Sequence, residues 1–142
     1  MRLTNGVDWL EIAAAPPPSG FAGSAVDPDV LLNVAFQVTG FGGADQSWVE
    51  RSDWDAFLTE FAVLEAGRRG EALLTGANAE EFRLRFYVYD AAGHPAVDGR
   101  LARRDGRGRE QHGAKVSFQM PFEPDQILPA LRAFESWARV RG

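Results

Sequence analysis

The clearest regularity along the chain is the alternation of apolar and polar positions from Val30 to Phe41. Leu32, Val34, Phe36 and Val38 fall on one face; Asn33, Gln37 and Thr39 fall on the other. A period of two predicts a strand with one buried face. Leu10 and Ile12 suggest a shorter strand before it. Gly40, Gly42 and Gly43 should end the long strand in a turn, because clustered glycines interrupt regular structure. Gln46 to Arg51 then reads as a short second strand of a hairpin, with Trp48 turned inward.

Beyond it the period changes. Trp54, Phe57, Leu58, Phe61 and Leu64 recur at spacings of three and four, one face of a helix over about Asp53 to Ala66. Ser52 with Asp55 resembles a capping box, and Asp53 and Asp55 suit the positive end of the helix. Gly67 and Gly70 should stop it. Strand chemistry returns at Glu71 to Thr75 and Glu81 to Asp90. In the latter, Phe82, Leu84, Phe86 and Val88 share one face, and Arg83, Arg85, Tyr87 and Tyr89 the other. A turn at Asp90 to Pro95 leads to a strand over Pro95 to Arg104. A polar connection at Asp105 to Gly113 leads to another over Ala114 to Pro121, with Val116, Phe118 and Met120 inward. Ile127, Leu131, Phe134 and Trp137 mark a C-terminal helix, with Pro129 placed in its first turn.

The connections among the last four strands are too short for crossovers, so those strands should be antiparallel. The predicted class is α+β: one twisted antiparallel sheet of about six to seven strands, with an amphipathic helix at mid-chain and another at the C-terminus. The 142 residues suit a single domain spanning 1–142. Pro16 to Pro18 mark an extended surface loop at about 13–29.

Composition narrows the chemistry. There are 0 cysteines, which removes disulfides, thiolate metal sites and cysteine nucleophiles. Only 2 histidines remain for metal binding or base catalysis. No apolar run approaches the roughly 20 residues of a membrane span, and no basic-then-apolar leader is visible, so a cytoplasmic protein is expected. Residues 1–80 hold four basic groups against twelve acidic ones, whereas residues 81–142 hold eleven against eight. A net charge of -5 argues against a nucleic-acid binder, and the acidic half would attract a basic partner.

Few residues offer catalysis. His94 and His112 lie in predicted loops, where each could act as a base, but neither has a nucleophile at a local spacing. Asp27/Asp29 and Asp53/Asp55 are paired carboxylates, the second pair already suited to a helix start. Arg103, Arg104, Arg107 and Arg109 form a basic run without the aromatics of a stacking platform. Two surfaces remain as candidates for a protein partner. One is an acidic edge of Asp45, Glu50, Asp53 and Asp55 around Trp48, expected to be compact; the same carboxylates would also serve helix and loop. The other is the polar strand face of Arg83, Arg85, Tyr87 and Tyr89, residue types enriched in protein contacts and equally at home on a solvated sheet.

Residues Gly70 to Leu131 carry a connected pattern: GEALL at 70–74, EFRLRF at 81–86, GHPAVDGRL at 93–101 and VSFQMPFEPDQ at 116–126, followed by Leu128 and Leu131. It resembles the WapI-type immunity proteins, bacterial partners that neutralise the C-terminal toxin domains of polymorphic secreted toxins. The shared features are a glycine-led strand, a Gly-His turn before a strand, and an Asp-Gln pair opening the last helix. The resemblance implies a non-enzymatic inhibitor that binds a cognate toxin domain; the absence of any ligand cluster in the sequence leads to the separate expectation that no metal or cofactor is needed. The competing expectation is a small ligand-binding or enzymatic domain with a site in the concavity of the sheet. An open charged surface would favour the first, and a deep pocket holding a histidine beside a carboxylate the second.

Overall fold

A computed structural model describes residues 1–15, 29–105 and 112–139. Eight strands and two α-helices follow in order. The strands are β1 (Arg2–Thr4), β2 (Trp9–Ala14), β3 (Val30–Val38), β4 (Phe41–Val49), β5 (Glu71–Thr75), β6 (Phe82–Val88), β7 (Pro95–Asp105) and β8 (His112–Pro121). Helix α1 (Arg51–Gly67) joins β4 to β5, and α2 (Ile127–Arg139) ends the chain after a 3-10 turn at Pro124–Gln126. The class is α+β, but the single sheet of about six to seven strands is corrected. There are two four-stranded antiparallel sheets, β1-β2-β3-β4 and β5-β6-β7-β8. Alternation identifies which residues face a core; it does not identify which strands share a ladder.

The β3–β4 hairpin explains a second difference. Its two-residue turn, Thr39 and Gly40, has positive φ at both positions (53° and 83°), the mark of a type I′ turn. A β-branched residue is strained there, and the Asp8 carboxylate braces it by accepting the Thr39 N–H at 2.9 Å. The turn is therefore one residue pair long, and Gly42 and Gly43 continue as strand instead of ending it. The register pairs Leu31 with Trp48 and Val30 with Val49. Val49 is fully buried, so Trp48 lies on the outer face, half-exposed, instead of turning inward.

Helix α1 begins at Arg51, two residues earlier than expected, which puts Ser52 inside the first turn. No side-chain cap bond comes from the N-cap residue, Glu50. Asp29 accepts the Arg51 N–H at 3.0 Å and takes over part of that task. Asp53 lies in the first turn, where the helix dipole favours a carboxylate. At the other end Arg68, with φ 52°, closes the helix through its N–H to the Leu64 carbonyl. Its guanidinium donates to the carbonyls of Glu65 (3.1 Å) and Pro124 (2.8 Å), which fastens the end of α1 to the start of α2. Pro129 falls in the first turn of α2, as its missing N–H requires.

Both sheets and both helices share one apolar core. Phe36, Phe57, Phe61, Leu84, Phe86, Phe118, Leu131 and Phe134 are all buried in it. On the helical side Phe57, Phe61, Phe86 and Phe134 pack with centroids 5.1–6.1 Å apart. Trp54 adds a further ring, though its buried Nε1–H has no hydrogen-bond partner among the described residues. On the other side the sheets meet through Phe36 of β3 and Phe118 of β8, stacked 4.3 Å apart at 15°. Each ring covers a glycine across its own ladder: Phe36 pairs with Gly43, Phe118 with Gly99. A Cβ on Gly43 would come within 3.0 Å of the Phe36 ring, and a Cβ on Gly99 would overlap the Phe118 ring outright.

Among the described residues no helix is long and apolar enough to cross a membrane. The proline-rich connection expected at about 13–29 lies outside the described residues except at its two ends, as do Arg107 and Arg109.

Gly99→Ala is expected to lower stability by about 1–3 kcal/mol, because the Phe118 ring is pinned by Phe36 and must leave its rotamer. Gly43→Ala should cost less, since there the ring gives way by a few tenths of an ångström. Urea melts of the two variants check the order; a Gly99→Ala protein as stable as the parent would show that the seam is loose.

Candidate functional site

The acidic edge is less compact than its spacing suggests. Asp45 sits in the middle of β4, and Glu50 is the residue before α1. Five steps of about 3.3 Å along an extended strand separate them by about 16 Å. The register gives Asp45 the inward parity of Val34. Its side chain is only 13% exposed, and its Oδ1 accepts from Arg103 Nη2 at 2.7 Å. The same oxygen accepts the Gln46 N–H at 2.8 Å. Arg103 belongs to β7, so this pair ties one sheet to the other, and Asp45 is structural. Glu50, Asp53 and Asp55 follow one another in sequence where β4, which carries Trp48, passes into α1, and Asp53 and Asp55, two residues apart on the helix, do not share a face. Glu50 and Asp55 are exposed and Asp53 half-buried. Asp55 carries an ion pair to Arg51 at 3.2 Å.

The polar strand face is assembled as expected, and adjoining strands extend it. β6 alternates buried Phe82, Leu84 and Phe86 with Arg83, Arg85 and Tyr87, which point outward. Cross-strand pairing sets Arg83 opposite Arg100 and then Ser117, and Arg85 opposite Asp98 and then Gln119. Arg85 Nε lies 3.2 Å from Asp98 Oδ2 and 3.7 Å from Glu71 Oε2. Its guanidinium is 4.3 Å from the centroid of Tyr87, whose hydroxyl accepts from Gln119 Nε2. Tyr89 lies past the end of β6 and stacks on His94 with centroids 5.9 Å apart. Arg83, Arg85, Asp98, Arg100, Ser117 and Gln119 line an open hollow of about 540 Å³ on this outer face. Sequence reasoning found the β6 members only. Asp98 and Arg100 carry the same signal, since they alternate with Val97, Gly99 and Leu101 along β7.

A second open hollow lies against the other sheet, lined among others by Glu11, Asn33, Ala35, Asp45, Gln46 and Arg103, so the Asp45–Arg103 pair borders it. His94 borders neither hollow. It occupies the β6–β7 turn, where Asp90 accepts its backbone N–H at 3.0 Å and lies 2.6 Å from ring Nδ1. The nearest ring is that of Tyr89, and the imidazole is half exposed. This arrangement orients a histidine and fixes a turn; for acid–base chemistry it would also need a substrate-sized recess beside it. The side chain of His112 and the residue Asp27 lie outside the described residues. Among the described residues no three His, Asp or Glu side chains are grouped to hold a metal ion.

Comparison with protein-family models, curated proteins and solved structures finds no match to this chain.

The Asp90 carboxyl is held below its ordinary value of 3.8, chiefly by the His94 backbone N–H and then by the His94 ring. A depressed folded value means that the carboxylate stabilises the native state above the ordinary value and that this contribution disappears as pH falls through the folded one. The stability difference between the parent and Asp90→Asn should therefore be largest near neutrality and vanish in acid. Paired denaturation curves from pH 7 to pH 2 check it; a difference that persists unchanged in acid would sever the turn from this ionisation.

Proposed function

We propose that this chain is a non-enzymatic immunity protein that binds and neutralises a cognate toxin domain in the cytoplasm. The observation that carries the proposal is the acidic edge at the start of α1. Glu50, Asp53 and Asp55 lie there within seven residues of a half-buried tryptophan, Trp48. They belong to the half of the chain with twelve acidic groups against four basic ones. An aromatic flanked by carboxylates suits a basic protein partner, which the net charge also steers toward it. The resemblance of residues 70–131 to WapI-type immunity proteins points the same way. The polar face of Arg83, Arg85, Tyr87 and Tyr89 is the second candidate surface for the toxin.

The alternative is a small ligand-binding or enzymatic domain with a site in the concavity of the sheet. It would unite a histidine–carboxylate pair with a recess, and here His94 and Asp90 stand apart from both hollows. Open hollows lined by charged groups fit surface recognition better than enclosed chemistry.

The test is binding kinetics with any toxin domain found encoded next to this chain. Glu50→Lys should slow association several-fold and flatten its salt dependence while changing dissociation little. Asp45 is a poor probe because its reversal breaks the pair with Arg103, and Asp53 and Asp55 act on the helix start; Glu50 is the N-cap of that helix but makes no side-chain cap bond, and circular dichroism checks that Glu50→Lys keeps the fold. Unchanged association and salt dependence would move the contact to the Arg83–Tyr89 face. Failure of any neighbouring toxin domain to bind would end the immunity reading.

A further inference from the structure

The outer face of the β5–β8 sheet contains a charge arrangement that the fold does not need. Arg83 on β6 and Arg100 on β7 stand directly opposite each other. Both are exposed, and neither makes an ion pair with any described residue. Like charges facing each other across a ladder destabilise it. The adjacent row is built differently: Arg85 is balanced by Asp98 and Glu71 and lies over the Tyr87 ring. Two carboxylates flank the row of Arg83 and Arg100: Asp98 on one side, already committed to Arg85, and Glu81 on the other, and neither forms an ion pair with Arg83 or Arg100. The row of Arg83 and Arg100 continues to Ser117 on β8. That hydroxyl has no hydrogen-bond partner among the described residues, and all three residues line the open hollow.

We propose that Arg83, Arg100 and Ser117 form a binding site for a phosphate-type dianion. Each guanidinium presents a planar fork of N–H donors, and two forks from adjacent strands supply two charges and more donors than one carboxylate can accept. A tetrahedral dianion has oxygens enough for both forks and for the Ser117 hydroxyl. Binding also removes the repulsion between the arginines, so the ligand stabilises the sheet it binds. The site does not rest on the toxin reading, although it shares Arg83 with the second candidate surface. The group is either free phosphate or the phosphomonoester of a larger molecule, and the two share this chemistry.

The experiment is a titration of the whole protein at pH 7.5 with sodium phosphate, against sodium chloride at matched ionic strength. Thermal melts and the arginine side-chain Nε–Hε NMR signals are the readouts. Phosphate should raise the melting temperature a few degrees more than chloride, saturably, and shift the Arg83 and Arg100 signals together. Any general stabilisation of the fold by phosphate's exclusion from the surface persists in every variant, so the decisive comparison is Arg100→Ala. That variant should lose the saturable increment and the Arg83 shift, and at low salt it should melt at or above the parent because the repulsion is gone. Arg132→Ala, an exposed arginine on α2, should respond like the parent. A parallel titration with phenyl phosphate separates the two sources: tighter binding than phosphate indicates an ester of a larger molecule, equal binding the free ion. Equal responses to phosphate and chloride, or an Arg100→Ala protein that responds like the parent, would overturn the site.

Discussion

The two sheets meet through a pair of stacked phenylalanine rings instead of a shared hydrogen-bond ladder. Phe36 and Phe118 come from different sheets, and each reaches the other because its cross-strand neighbour is glycine. A larger residue at Gly99 would lift Phe118 off its strand, and the two apolar faces would part. Almost everything else follows from that approach. With the sheets close on this side, the helices can close the other, where Phe57, Phe61 and Phe134 pack against Phe86. The Asp45–Arg103 pair adds a polar tie between the sheets near the same side. Most of its energy is screened because the Arg103 side chain is 73% exposed, so it serves register more than stability.

Function has to use what this closure leaves on the surface. The apolar residues of both sheets and both helices form one buried core, and two open hollows border the sheets. Charge is sorted between them by position in the chain. Carboxylates gather where β4 enters α1, and arginines gather across β6 and β7. The acidic edge and the basic face are the two charged surfaces proposed for recognition, the first of a basic protein and the second of an anion.

How far the sequence could be read depended on the type of residue. Half-buried strands were legible wherever large apolar side chains alternate, as at Leu32 to Val38 and Phe82 to Val88. α1 was legible from the spacing of Trp54, Phe57, Phe61 and Leu64. β1 was missed because three residues with one buried leucine, Leu3, leave no period to read. β4 was cut short because Gly42, Gly43 and Ala44 look like a turn. The type I′ geometry at Thr39 and Gly40 and the Phe36 ring over Gly43 keep them in the ladder, and both are tertiary facts. The acidic edge was read from closeness in sequence, yet Asp45 lies along a strand and turns inward while Glu50 opens a helix. The basic face was half legible: β6 declared its outward residues, but Arg100 and Ser117 joined them only through a register that one strand cannot reveal.

The central claim is that the Phe36–Phe118 stack couples the two sheets. A double-mutant cycle with Phe36→Leu and Phe118→Leu, followed by urea unfolding, measures that coupling directly. Leucine keeps most of the buried apolar surface and removes the ring pair. The account predicts a single unfolding transition in the parent and a coupling energy of about 0.5–1.5 kcal/mol beyond the two separate losses. Losses that simply add, to within about 0.3 kcal/mol, would contradict it and leave the helices and the Asp45–Arg103 pair to hold the sheets together.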